Sequence, residues 1–103
     1  MLFRSNNFSD VAPWSELLAK NAPGTLPPGI QLFLAQGGKD NLVLPRVTLG
    51  YVTKLCKAKS AVQLYSMPGV GHAFAGRDSA TAAIDWIAGR FEGTAAPSNC
   101  DPN

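Results

Sequence analysis

The chain has 103 residues, with nine basic and seven acidic side chains and a formal net charge of +2 at pH 7. This length allows one domain, and a hydrophobic content of 46% excludes an intrinsically disordered chain. A charge so close to zero gives no basis for nucleic-acid binding. No apolar run approaches the roughly 20 residues of a transmembrane helix, and Met1–Asn7 lacks the features of a signal peptide.

The pattern predicts a lead-in over 1–29, a β-α-β-α core over 30–93 and a tail over 94–103 within a single domain. In the lead-in, Pro13 and the residues that follow it predict a short helix that ends at Asn21. The first strand is expected over 30–36. Its continuous apolar run is typical of a strand covered on both faces in a parallel sheet.

A crossover helix is predicted from about Pro45, with one apolar stripe formed by Thr48, Tyr51, Val52 and Leu55. The second strand is predicted over 61–67. The last helix is expected to begin at Asp78 or Ser79, both good N-cap residues, and to end at Gly93. Its predicted sheet-facing side consists of Ala80, Ala83, Ile84, Ile87 and Phe91.

Two strands and three helices cannot bury both faces and both edges of such a sheet. The fold class predicted is therefore α/β, with parallel strands, flanking helices and an incomplete sheet. The missing cover would come either from further polypeptide or from another copy of the chain.

The two cysteines, Cys56 and Cys100, lack a CxxC spacing, and the sequence offers one histidine as a further zinc ligand, which argues against a zinc site. They form either a disulfide or two free thiols. We expect the disulfide, because Cys100 lies in a Pro-, Ser- and Asn-rich tail that little else would hold. Closing a loop of this length stabilises a fold by up to about 4 kcal/mol and implies an oxidising compartment.

An acid and the only histidine follow the two predicted strands. Asp40 comes after the first strand, and His72 comes after the second. A strand-helix-strand unit makes its strands parallel, and adjacent strands lie about 4.8 Å apart, so the two loops share one rim of the sheet. Asp40 and His72 then form two-thirds of a Ser-His-Asp triad in the order Asp then His.

The glycines near these residues suit that arrangement. Gly37 and Gly38 are expected to let the chain turn sharply after the first strand, and Gly69 and Gly71 to leave room beside the imidazole. Each residue also has a simpler interpretation. Asp40 fits a turn-capping acid, and His72 fits a loop histidine.

Three segments resemble a known family. Residues 35–45 resemble the acid loop of α/β-hydrolases, and residues 68–72 resemble their histidine loop. Residues 86–100 are similar to the C-terminal end of the secreted lipase family related to Candida antarctica lipase A, including its bacterial members. The likeness covers about residues 14–100.

This resemblance implies an α/β-hydrolase fold, ester or lipid substrates with acyl chains, a secreted location and no metal or organic cofactor. It also implies that Asp40 is the triad acid and His72 the general base.

The sequence departs from the family at the nucleophile. It contains no G-x-S-x-G elbow and no HGGG-type oxyanion loop, both of which precede the acid and the histidine in that fold. We therefore expect the chain to be the C-terminal third of a lipase-like hydrolase and to be inactive by itself. Its candidate serines, none of them on an elbow-like turn, are Ser5, Ser9, Ser15, Ser66 and Ser79.

Two functions follow from these observations. The first is a carboxylic-ester hydrolase of lipase or esterase type, to which this chain contributes the acid and the base. The alternative is a non-catalytic remnant that self-associates through an exposed sheet edge and acts as a binding or structural module.

Overall fold

The structure is a computed structural model that describes residues 7–100. A 3-10 turn over Phe8–Asp10 precedes α1 (Trp14–Asn21), and a second 3-10 turn over His72–Phe74 precedes the last helix. The remaining elements are β1 (Gln31–Gly37), α2 (Pro45–Lys57), β2 (Ala61–Met67) and α3 (Ala75–Phe91). The predicted β-α-β-α order is confirmed.

Strands β1 and β2 form a two-stranded parallel sheet, with Gln31 opposite Ala61 and Gly37 opposite Met67. One face carries Leu32, Leu34, Val62 and Leu64, which pack with Val52 and Leu55 of α2. On the other face, the ring of Phe33 lies 6.1 Å from that of Trp86 in α3. The sheet is therefore covered on both faces, as the continuous apolar run of β1 predicts.

Helix α3 differs from the prediction in its start. It begins at Ala75, because the 3-10 turn over His72–Phe74 continues directly into it. Ser79 is therefore buried inside the helix, where its hydroxyl donates to the Gly76 carbonyl oxygen at 3.4 Å. Neither Asp78 nor Ser79 is the N-cap.

The orientation of α3 also differs from the prediction. Ile84 and Phe91 are 64% and 89% exposed, and Ala80 and Ile87 are exposed too, so the expected sheet-facing side is wrong for these four residues and right only for Ala83. Small side chains and Trp86 form the more buried side instead, namely Ser79, Ala82, Ala83 and Trp86. Small residues let the helix approach the sheet, and the large apolar residues are left on the outside.

A disulfide joins Cys56 of α2 to Cys100 of the tail, as expected from the sequence. The tail that it holds runs along the outer edge of β2. Asn99 pairs with that edge as a strand would: its backbone N–H donates to the Val62 carbonyl oxygen at 3.0 Å. Its side-chain Oδ1 accepts from the Leu64 N–H, and its Nδ2 donates to the Leu64 carbonyl oxygen, both at 2.8 Å.

The two edges of the sheet consequently differ. The Gly38 N–H donates to the Met67 carbonyl oxygen. In a parallel pair, the backbone groups of alternate residues on each strand point toward the partner strand. Given the register, these are the even-numbered residues of β1 and the odd-numbered residues of β2. The backbone groups of Phe33 and Ala35 therefore face away from β2. In the part of the chain that the structure describes, the sheet edge left open is that of β1.

No helix within residues 7–100 has both the length and the apolar character needed to cross a membrane.

The edge-capping role of Asn99 can be tested by hydrogen exchange. Asn99→Ala removes both side-chain bonds to Leu64, and the loss of one such bond corresponds to about a tenfold change in local opening. We expect the Leu64 amide to exchange about tenfold faster, while the amides of Gln63 and Tyr65, which face β1, keep their protection. Native-state exchange followed by NMR measures all three amides.

The control is Ser98→Ala, which removes the longer 3.3 Å bond to the Val62 N–H and should leave Leu64 unchanged. Uniformly faster exchange along β2 in Asn99→Ala would show that the tail stabilises the whole sheet instead of capping its edge.

Candidate active site

The candidate site is built from two loops at the carboxyl ends of β1 and β2. The acid loop, residues 38–44, follows β1, and the histidine loop, residues 68–71, follows β2. Their backbones are bonded directly, since the Lys39 N–H donates to the Val70 carbonyl oxygen at 3.0 Å. The two loops thus share one rim of the sheet, in the arrangement that parallel neighbouring strands impose.

Two glycines allow this close approach. A Cβ atom at Gly37 would overlap the Val70 carbonyl group, and one at Gly38 would lie 2.8 Å from both Cα and the carbonyl oxygen of Pro68. Neither glycine has a positive φ angle. They are therefore needed for the space they leave between backbones, and the predicted sharp turn is not the reason for them.

The glycines of the histidine loop are under less constraint. A Cβ atom at Gly69 would meet nothing within 4 Å, and one at Gly71 would lie 3.9 Å from the Lys39 carbonyl oxygen. The expected role of these two glycines in making room beside the imidazole is therefore wrong for Gly69.

The structure brings Asp40 and His72 together. His72 Nδ1 lies 2.9 Å from Asp40 Oδ2, and the Asp40 residue is 6% exposed. The other carboxylate oxygen, Oδ1, accepts from the N–H groups of Leu42 at 2.9 Å and Val43 at 2.8 Å. The acid thus caps its own loop and contacts the imidazole at the same time, so the turn-capping interpretation and the pairing with His72 are both satisfied.

The hydrogen bonds decide the ionisation of Asp40. Desolvation by burial raises its pKa, but the bonds from His72, Val43 and Leu42, together with the attraction to the imidazole, outweigh that effect and lower the pKa below its usual value. Asp40 is therefore a carboxylate at neutral pH and can only accept. His72 Nδ1 must then carry the hydrogen, which leaves the Nε2 lone pair of the half-exposed ring available to take a proton.

No serine in residues 7–100 donates to His72. Ser79 is buried, and its hydroxyl donates to the Gly76 carbonyl oxygen. Ser66 lies in β2, as predicted, and is exposed. Ser5 lies outside the described residues. Ser9 bonds to Asn7 in the lead-in, and the backbone of Ser15 bonds to Val11. Within residues 7–100, therefore, no hydroxyl is hydrogen-bonded to His72 as the nucleophile of a triad would be.

Two further polar residues support the acid loop, and the sequence analysis did not identify their role. Gln36, 8% exposed at the end of β1, donates through Nε2 to the carbonyl oxygens of Gly37 at 3.0 Å and Val43 at 2.9 Å. The Thr48 hydroxyl of α2 donates to Gln36 Oε1. The sequence contained a signal for this role. Alternate residues of a strand share a face, so Gln36 lies on the same core-facing side as Leu32 and Leu34 and places a polar amide there.

Other features of the described residues lie away from this rim. A cleft of about 330 Å³ is lined by residues 26–31 and 58–61, at the amino ends of the strands. Residues 7–100 contain no group of three or more histidine, cysteine or acidic side chains placed to hold a metal ion.

Comparisons with protein-family models, with curated proteins and with solved structures found no match to this chain. The lipase resemblance and the catalytic roles of Asp40 and His72 therefore stay predictions.

The close approach at Gly38 predicts a cost for any side chain there. Gly38→Ala must push the acid loop away from Pro68, and overpacking of this kind lowers the free energy of unfolding by about 1–3 kcal/mol. Gly69→Ala in the facing loop is the matched control and should change it by less than about 0.5 kcal/mol. Urea denaturation measures both, and equal effects would contradict the packing argument.

The lowered pKa of Asp40 predicts a loss of stability in acid. A carboxyl group whose pKa is lower in the folded than in the unfolded state stabilises the fold above the unfolded value of about 3.9. That contribution disappears as the pH falls through the lower, folded-state value. We expect the stability gap between wild type and Asp40→Asn to narrow as the pH falls below about 4.

Thermal denaturation from pH 6 to pH 2 measures this gap. The control for the removal of an acid is Asp85→Asn, because Asp85 is an exposed residue of α3. A gap for Asp40→Asn that does not narrow between pH 4 and pH 2 would contradict the lowered pKa of Asp40.

Proposed function

We propose that this chain contributes the acid and the general base of a Ser-His-Asp carboxylic-ester hydrolase of lipase or esterase type, with an α/β-hydrolase fold. The observation that carries the proposal is the 2.9 Å contact between a buried carboxylate, which also accepts two backbone hydrogen bonds, and a half-exposed imidazole at the carboxyl ends of two parallel strands. A carboxylate held in this way orients the ring and stabilises its protonated form.

The reaction follows from the two nitrogens of the ring. His72 Nε2 takes the proton of a serine hydroxyl as its oxygen attacks the ester carbonyl, and Asp40 stabilises the imidazolium that forms. His72 then returns the proton to the departing alcohol, leaving an acyl-serine. Water, activated by the same nitrogen, releases the acid and restores the serine.

The proposal requires a nucleophile and an oxyanion hole from polypeptide outside residues 7–100. The open edge of β1 supports this, because the unpaired backbone groups of Phe33 and Ala35 can accept a further strand of the sheet. The β2 edge is occupied by Asn99 and offers no such place.

Two observations support an ester or lipid substrate and a secreted location. Phe74, two residues after His72, is 53% exposed and presents apolar surface near the base, suited to an acyl chain. The Cys56–Cys100 disulfide is compatible with an oxidising, extracellular environment. The reaction needs no metal or organic cofactor.

A second candidate function is a self-associating module without catalysis. It is favoured by the open β1 edge and by the exposed apolar side chains of α3, Ile84 and Phe91. In that case the contact between Asp40 and His72 stabilises the loops and has no catalytic role.

Ester hydrolysis by the protein isolated from its native source tests the first proposal. We expect p-nitrophenyl butyrate turnover, and we expect Asp40→Asn to lower kcat by about 10⁴-fold and His72→Ala by at least as much. Asp85→Asn is the control and should keep the wild-type rate. A fluorophosphonate probe should label one serine, which mass spectrometry then locates.

Near-wild-type turnover in His72→Ala would end the hydrolase proposal. Absence of turnover and labelling, together with a dimeric profile in size-exclusion chromatography, would favour the self-associating module.

A further inference from the structure

A buried side-chain amide connects three segments around the acid. Gln36 belongs to β1, the Val43 carbonyl that accepts from it belongs to the acid loop, and the Thr48 hydroxyl that donates to it belongs to the first turns of α2. Neither the fold nor the proposed reaction accounts for this connection.

Val43 is the link between this network and the carboxylate. Its N–H donates to Asp40 Oδ1 at 2.8 Å, and its carbonyl oxygen accepts from Gln36 Nε2 at 2.9 Å. The side chains of this part of the loop provide little anchorage, since Leu42 is 74% exposed and Val43 is 43% exposed. Polar contacts therefore hold the acid loop in place, and Gln36 makes the one from the core.

The surroundings of Gln36 determine which way its amide points. Carbonyl oxygens can only accept, so those of Gly37 and Val43 require Nε2 on their side, and the opposite orientation would set Oε1 against both of them. The Thr48 hydroxyl then donates to Oε1, so every polar atom of the amide is matched. Thr48 thus anchors the buried amide in the orientation that supports the loop.

We propose that Gln36 and Thr48 are positioning residues, which hold the acid loop so that Val43 donates to Asp40 and Asp40 meets His72. The inference rests on the proposed function for its catalytic consequence. Its structural content, that a core amide sets the geometry of the acid, can be measured without any substrate.

The chain offers a matched pair for the test. Thr48→Val removes the hydroxyl that anchors Gln36 Oε1, while Thr53→Val on the same helix removes a hydroxyl that donates to the Leu49 carbonyl oxygen. Gln36→Leu removes the whole network at similar volume, and Gln31→Leu at the exposed start of β1 is its control.

The readout is the titration of Asp40, followed by ¹³C NMR of its carboxyl group in the full chain. Loss of the support lets the Val43 N–H drift from Oδ1, so we expect the pKa of Asp40 to rise in Thr48→Val and more in Gln36→Leu, and to stay unchanged in both controls. In the active enzyme, Thr48→Val should lower kcat about 10- to 100-fold with little change in KM.

An unchanged pKa of Asp40 in Thr48→Val would overturn the inference, even if the variant were less stable, because a merely structural role moves stability alone. Thr48→Val also decides the matter if Gln36→Leu fails to fold. A raised pKa in a protein without ester turnover would uphold the positioning role and refute the hydrolase proposal, so the two failures are distinguishable.

Discussion

The close contact between the backbones of residues 37–39 and 67–70 is the constraint on which the candidate site depends. It continues the parallel pairing of β1 and β2 beyond the strands, through the bonds from Gly38 to Met67 and from Lys39 to Val70. Because glycine at 37 and 38 lets the two chains lie against each other, the residues that follow are brought to one rim. The distance between Asp40 and His72 is therefore a property of the sheet.

The buried acid shows how such a site stays ionised. Burial alone would favour the neutral carboxyl group, and a neutral Asp40 could not fix the hydrogen of the imidazole on Nδ1. The N–H groups of Leu42 and Val43 replace the lost water on one oxygen, and His72 replaces it on the other. The same hydrogen bonds consequently determine the loop conformation, the ionisation of Asp40 and the orientation of His72. Gln36 contributes to them through its hydrogen bond to the Val43 carbonyl oxygen.

The strands, the crossover helix and the pairing of Asp40 with His72 were accessible from the sequence, because apolar runs, Pro45 and chain order each have a direct structural meaning. The face of α3 was not. Both stripes of that helix have helical spacing, and which one meets the sheet depends on how closely small residues such as Ala82 and Ala83 let it approach. The start of α3 was missed because a 3-10 turn without a side-chain cap precedes it. Gln36 was missed because two of its three partners, Val43 and Thr48, lie seven and twelve residues away, across a loop whose path no local pattern specifies.

The tail along β2 restricts the edge at which further strands can join the sheet. Asn99 occupies the backbone groups that another strand would need, and the Cys56–Cys100 bond prevents the tail from being displaced without reduction. Any polypeptide that enlarges this sheet by pairing must then join beside β1, on the side remote from Cys100. Residues 98–100 thus block the β2 edge, and the disulfide fixes them there covalently, so an added strand can pair at one edge only.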